Sequence, residues 1–248
     1  MGEPAPPAAI QTTGLSKRFG AIHALARLDL TVAEGESLAL FGPNGAGKTT
    51  LIRILTLGLR PSDGSFRIAG LDPRRQDRTI RGRIGVISHQ SFLYDDLTAR
   101  QNLEFFGKIY GVSQPASRAE QLLETVGLTA RADDAVGNFS RGMLQRASLA
   151  RALIHDPRIV FLDEPFTGLD PHGARTLRHT LARLRRERRT VLLVTHDLYQ
   201  GLELSDRWLI LDRGRIADHG ESAGTDPAAF ERDYLDRLEV SRRARHSG

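Results

Sequence analysis

Continuous apolar runs of strand length recur along this chain, separated by longer segments in which apolar residues return every three or four positions. The runs at Ser37–Phe41, 159–162 and 191–194 do not alternate with polar residues, which is the pattern of parallel strands covered on both faces. Between them the helical spacing predicts helices over 48–58, 142–154 and 173–187. Strand–helix alternation argues for an α/β fold with a mostly parallel sheet. Two regions break the alternation. Residues 14–33 and 64–70 read as shorter strands with turns, a small N-terminal antiparallel β region packed on the core. Residues 91–138 carry only the helical pattern, so an inserted helical subdomain (about 91–155) is expected there. Near the end, 208–211 and 215–218 flank Asp212, Arg213 and Gly214, a predicted hairpin turn. Phe230, Tyr234, Leu235 and Leu238 then share one face of a last amphipathic helix, within a C-terminal helix and basic tail over 221–248.

Composition adds limits more than direction. The 248 residues suffice for one domain with a smaller subdomain. The absence of cysteine excludes disulfides, thiolate metal sites and cysteine nucleophiles. No apolar run approaches the roughly 20 residues that span a bilayer. Residues 1–9 lack the regions of a signal peptide and read as a flexible tail, so a cytoplasmic protein is expected. The net charge of +5 is concentrated in arginine runs at 183–189 and 242–246. Nucleic acid or anionic lipid could use such charge. No aromatic platform or base-reading motif accompanies it, and a solvated helix face with a frayed terminus is the simpler reading.

The chemistry lies in a few short stretches. Gly42, Pro43, Asn44, Gly45, Ala46, Gly47, Lys48 and Thr49 fit G-x-x-x-x-G-K-[ST] in full, between an expected strand and an expected helix. Glycines let successive backbone N–H groups curl toward phosphate oxygens, and the helix N-terminus adds positive potential. Lys48 reaches the β- and γ-phosphates, and the Thr49 hydroxyl can ligate Mg2+. The strand at 159–162 ends in Asp163 and Glu164, at the sheet edge where α/β folds place chemistry. Asp163 would hold Mg2+, and Glu164 would polarise an attacking water as general base. His196 follows the run 191–195 and should emerge on the same edge, to hydrogen-bond the γ-phosphate or the water. Gln90, just past an apolar segment at 84–87, could give Mg2+ a neutral oxygen and report nucleotide state to the insert. Ser140, Arg141 and Gly142 form a second serine–glycine turn opening a helix. It suggests a γ-phosphate gripped from a partner molecule, and hence a dimer with nucleotide as the glue.

In this order the motifs resemble the ATP-binding subunit of an ABC transporter. They are Walker A at Gly42 to Thr49, the Q-loop at Gln90, the signature at 139–143, and Walker B at Ile159–Asp163 with Glu164. The D-loop at Gly168, Leu169 and Asp170 and the H-loop at His196 complete the set. The resemblance runs from about residue 10 to residue 220. It implies a P-loop NTPase with a RecA-like core, using ATP and Mg2+, with Thr50 also among the nucleotide contacts. Phe19 sits where the family stacks an aromatic on adenine. Ser140 and Gly142 would grip the γ-phosphate across the dimer, although Phe139, Arg141 and Met143 depart from the family's Leu, Gly and Gln. The partners implied are a second copy and a polytopic membrane permease subunit, at the cytoplasmic face of the membrane; nucleic acid is not expected. Phe92, Leu93, Tyr94, Leu97, Leu103, Phe105, Phe106 and Tyr110 supply an apolar surface beside Gln90. In transporters such a groove receives a short helix of the membrane subunit; most of these residues also fit as the insert's own core. No coiled-coil insertion of the DNA-repair type fits between Gln90 and Ser140, and a second cassette of the translation-factor type is missing. Exporter-type cassettes match best, with the heme-exporter subunit of cytochrome c maturation as the leading substrate reading. General drug or polysaccharide exporter cassettes and the soluble ATPase of iron–sulfur assembly are the alternatives. A non-enzymatic nucleotide-sensing scaffold would instead retain DNA or RNA with steep salt dependence.

Overall fold

The computed structural model describes residues 7–88 and 90–246. Its centre is a six-stranded sheet in the order β5-β6-β7-β3-β8-β9. The strands are β3 (Ser37–Phe41), β5 (Ile84–Ile87), β6 (Ile159–Asp163), β7 (Thr190–Val194), β8 (Arg207–Asp212) and β9 (Arg215–Glu221). All neighbours are parallel except β8 and β9, which form the expected hairpin. Every residue of β3, β6 and β7 is buried, as their unbroken apolar runs require of strands covered on both faces.

The second sheet is antiparallel, in the order β2-β1-β4, with β1 (Ala8–Phe19), β2 (Ile22–Ala33) and β4 (Asp63–Ile68). Its first two strands are 12 residues each, longer than the short pieces expected. The reason is bulging. The register shifts several times along β1 and β2, and Arg27 at φ 54° breaks the alternation between Leu25 and the buried Leu28, Leu30 and Val32. Thr12 Oγ1 fills one irregularity, donating to Leu28 O at 2.8 Å and accepting from Leu30 N at 2.9 Å. β1 begins at Ala8 and buries Ala9, within the stretch expected as a tail; residues 1–6 of that tail lie outside the described residues.

α1 (Lys48–Leu55), α5 (Arg141–Leu153) and α6 (Pro171–Arg186) occupy the expected helical segments. α1 stops short of 58, where Leu57 takes φ 64°. Between β5 and β6 the chain builds α3 (Ala99–Ile109), α4 (Pro115–Thr125) and two single 3-10 turns before α5. Leu103, Ala119, Leu122 and Val126 pack with Ala147 and Ala150 of α5 and Leu162 of β6 in one cluster. α5 is therefore buried all round from Ala147 to Leu153. Two helices had no forecast, α2 (Pro73–Arg81) and α7 (Leu198–Leu204). α2 buries only Ile80, and α7 has two turns, so neither shows a usable apolar period. Asp72 and Asp197 start them as N-caps, accepting from Arg74 N and Gln200 N.

α8 (Pro227–His246) closes the chain, and the run at 242–246 continues its backbone instead of fraying. The other arginine run is largely occupied locally: Arg183 pairs with Glu187, Arg185 with Asp206 and Arg189 with Asp156. Among the described residues no helix is long and apolar enough to cross a membrane.

Asn102 in α3 is fully buried and shapes the loop that precedes its helix. Its Nδ2 donates to Tyr94 O (3.0 Å) and Thr98 O (3.0 Å), and its Oδ1 accepts from Tyr94 N (2.8 Å). Asn102→Leu keeps the volume but leaves the Tyr94 N–H without its acceptor, while Tyr94 O and Thr98 O keep the N–H groups of Leu97 and residue 102, at an expected loss of about 1–3 kcal/mol in urea unfolding. A loss below about 0.5 kcal/mol, the range of an ordinary surface substitution, would contradict this reading of the loop.

Candidate functional site

β3 delivers the phosphate loop to the C-terminal edge of the large sheet. Gly42 has φ 145°, and a Cβ there would lie 2.1 Å from Leu211 O; at Gly47, φ 108°, it would lie 2.3 Å from Ala24 O. Both positions therefore require glycine. Ala46 is buried, and its carbonyl accepts from Gly214 N at 2.9 Å, so the β8–β9 turn braces the loop. Pro43 is half-buried, and Asn44, Gly45 and Thr49 are exposed, with Thr50 half-buried behind them. Lys48 Nζ bridges the loop, donating to Gly42 O at 2.6 Å and Pro43 O at 3.1 Å. Burial pushes the Lys48 pKa down, while Glu164 and Asp163 oppose the shift. α1 begins with Gly47 as N-cap and no side-chain cap, so its first N–H groups converge on the loop.

Two strands away the acidic edge forms. Asp163 ends β6, is buried, and pairs with Val194 of β7. Glu164 then turns out of the strand at φ 52°, its N–H held by Val194 O at 2.9 Å. A non-glycine residue in that region costs about 1–3 kcal/mol. The conformation places Glu164 Oε2 2.7 Å from His196 Nδ1. His196 follows β7 and is exposed; the Asp197 N–H donates to Thr195 Oγ1 at 3.1 Å and fixes the turn. The sheet thus gathers Lys48, Asp163, Glu164 and His196 on one edge. A carboxylate beside an imidazole can polarise water there, next to a lysine able to hold phosphate.

The serine–glycine turn sits elsewhere in the fold. Ser140 Oγ accepts from Met143 N at 3.3 Å and caps α5. Gly142 has Gly168, Leu169 and Asp170 as its nearest neighbours, and the Arg141 side chain lies directly over Gly168. Asp170 caps α6, accepting from Gly173 N at 2.6 Å. Gln145 Nε2 donates to Pro165 O at 3.1 Å and ties α5 to the acidic turn. Phe19 ends β1, 48% exposed, with Lys17 Nζ 5.1 Å from its ring centroid. Gln90 is exposed three residues past β5, its N–H donating to Ser88 Oγ at 3.3 Å.

Beside Gln90 the apolar surface divides. Phe92, Tyr94 and Phe105 are exposed, Leu103 is core, and Leu93, Leu97, Phe106 and Tyr110 are half-buried. Arg151 of α5 lies beneath this surface, a role the sequence reading missed. It is buried, donates from Nη2 to Val86 O at 2.6 Å, and sits 5.3 Å from the Phe92 ring and 5.5 Å from the Phe106 ring. Desolvation pushes its pKa down. Its signal was a charge inside the otherwise apolar stretch Ala147 to Leu153. Gln145 was missed for another reason, since its partner is 20 residues away.

Among the described residues no cluster of three or more His, Asp or Glu side chains forms a metal cage. Mg2+ does not need one. It commonly takes one or two protein oxygens and completes its shell from phosphates and water, and Thr49, Asp163 and Gln90 offer oxygens of that kind.

A family model described as "ABC transporter" matches residues 25–167. The daunorubicin resistance ATP-binding protein DrrA3 of Streptomyces coeruleorubidus is 41% identical over 86% of this chain and 68% of its own length. A Nod factor export ATP-binding protein I of Paraburkholderia xenovorans is 37% identical over 95% of this chain and 84% of its own. Among solved structures, an ATP-binding subunit of an ABC transporter superposes with a TM-score of 0.83 at 29% identity, covering 94% of this chain and 98% of that one. A dimeric ATP-binding cassette in a post-hydrolysis state with ADP and Pi gives 0.79 at 27%, covering 87% and 100%. The fold, the phosphate loop and these likenesses agree: the chain belongs to the ABC transporter family, as an ATP-binding and ATP-hydrolysing cassette.

Proposed function

We propose that two copies of this chain bind two MgATP between them and drive a polytopic membrane permease in the export direction, from the cytoplasmic face of the membrane. The observation that carries the catalytic part is the 2.7 Å contact between Glu164 and His196 on the edge that also holds Lys48. Glu164 serves as the base that orients and polarises water. His196 steadies that carboxylate and contacts the γ-phosphate. The loop from Gly42 to Thr50 cradles the phosphates, and Phe19 stacks on adenine. Thr49, Asp163 and Gln90 hold Mg2+, which when bound offsets charge on the β- and γ-phosphates. Ser140 and Gly142, at the N-terminus of α5 with Gly142 beside Asp170, contact the nucleotide held by the partner copy. ATP stabilises the closed pair and ADP does not, so turnover opens and closes the dimer. Closure is passed to the permease through Phe92, Tyr94 and Phe105, the exposed part of the surface beside Gln90.

The export direction is supported by the names of the relatives, which speak of daunorubicin resistance and Nod factor export. A hydrophobic or amphipathic organic cargo fits that company. Heme export draws no support from those names. Affinity purification of the full chain in mild detergent tests the assignment. A polytopic membrane subunit is expected to co-purify in equal amount, and a soluble scaffold in its place would contradict transport.

His196→Ala should lower kcat at least about tenfold, the low side of what a positioned acid–base group contributes, with little change in ATP affinity. Steady-state hydrolysis against nucleotide titration checks it. A kcat within twofold of the parent would remove His196 from the reaction.

A further inference from the structure

The turn that carries Glu164 is held on both sides. Upstream, the Glu164 N–H donates to Val194 O at 2.9 Å. Downstream, the Pro165 carbonyl accepts from Gln145 Nε2 at 3.1 Å. Between these anchors lies the backbone of Glu164 at φ 52°, a conformation that a residue with a side chain keeps only where its surroundings hold it. Pro165 is buried, and a carbonyl in such a place needs a donor. The gap that Gln145 lines with Ile87, Leu149, Leu169 and Leu177 measures about 10 Å³. That is the lower limit for one water, so solvent is a poor substitute for the amide.

Gln145 is itself fixed in place. It lies in the second turn of α5, whose first turn packs on the segment that continues from Pro165. Gly142 has Gly168, Leu169 and Asp170 as neighbours, and the Arg141 side chain lies over Gly168. The helix therefore cannot slide along this segment without breaking those contacts. The amide then sets where the Pro165 peptide sits, and with it the direction in which Glu164 leaves the strand toward His196.

We propose that Gln145 is a positioning residue for ATP hydrolysis: its amide holds the Pro165 carbonyl, so that Glu164 keeps the turn that aims its carboxylate at His196 and water. The inference rests on Glu164 being the base. Gln145 acts through that residue, and its loss should appear in the rate of hydrolysis and not in ATP affinity.

The test is Gln145→Met, which keeps the side chain's length and removes the donor, made in the parent chain and in the Glu164→Gln chain. Single-turnover hydrolysis, MgATP affinity and Tm are measured on all four proteins. In the parent chain the rate is expected to fall about five- to tenfold, as for loss of one hydrogen bond, with affinity within twofold. In the Glu164→Gln chain the same substitution should leave the slow rate within twofold, because no base remains to be positioned. Any fall in Tm should be the same in both chains. An unchanged rate in the parent chain overturns the proposal. So do equal losses of rate in both chains, since Gln145 would then act independently of Glu164. Gln145→Glu keeps the shape but offers Pro165 O an acceptor, so it should slow hydrolysis at least as much as Gln145→Met; a parental rate would show that only side-chain volume matters. A Glu164→Gln chain that hydrolyses at the parental rate would instead overturn the base itself, so the two failures are distinguishable.

Discussion

Glu164→Gln is expected to slow ATP hydrolysis at least about a hundredfold, the usual span for a general base, while ATP affinity stays within about threefold of the parent. The substitution is nearly isosteric. The amide oxygen can still accept from His196 Nδ1, so the 2.7 Å contact and the turn that depends on it survive. What disappears is the charge able to draw a proton from water. Affinity should persist because the phosphate contacts come from the loop, with its N–H groups and Lys48, and from His196, none of which the substitution removes. Single-turnover phosphate release and nucleotide titration separate the two effects. A variant that hydrolyses at the parental rate would remove Glu164 from the chemistry.

Lys48→Ala is expected to weaken ATP binding by about 30- to 1,000-fold, as for truncating one side of a charge-assisted contact worth roughly 2–4 kcal/mol. Its effect on the free protein should be small and of opposite sign. Lys48 lies half-buried with its ammonium on Gly42 O and Pro43 O, and desolvation lowers its pKa, so the charged form is held at some cost. Removing it relieves that cost, and Tm should hold or rise. Calorimetric titration with MgATP, set beside a thermal melt, tests both halves. Unchanged affinity would mean that the loop does not hold the phosphates.

The central sheet was legible because its strands are buried on both faces and therefore appear as unbroken apolar runs. The phosphate loop was legible because its glycines, lysine and threonine each answer a separate demand of polyphosphate binding. What escaped depended on bulges, short helices or distant contacts. β1 and β2 read as fragments because Arg27 resets the phase of an otherwise alternating strand. α2 buries one residue and leaves no apolar stripe to detect. Arg141 was conspicuous in its turn, yet its position over Gly168 depends on packing between α5 and the segment before α6, which spacing does not encode. Tyr234 fell on the apolar face of the last helix and read only as core. Where that face docks, with Phe230 against Phe41 and Trp208, is set by tertiary packing.

The nucleotide sandwich is the centre of this account, because Ser140 and Gly142 open α5, with Gly142 beside Asp170, while Lys48, Glu164 and His196 share the edge of the large sheet. A site completed by a second copy should assemble only with ATP. Light scattering on the Glu164→Gln protein is the most direct measurement. With MgATP it should have the mass of two chains, and with MgADP the mass of one. A protein that binds MgATP yet keeps the mass of a single chain would contradict the account.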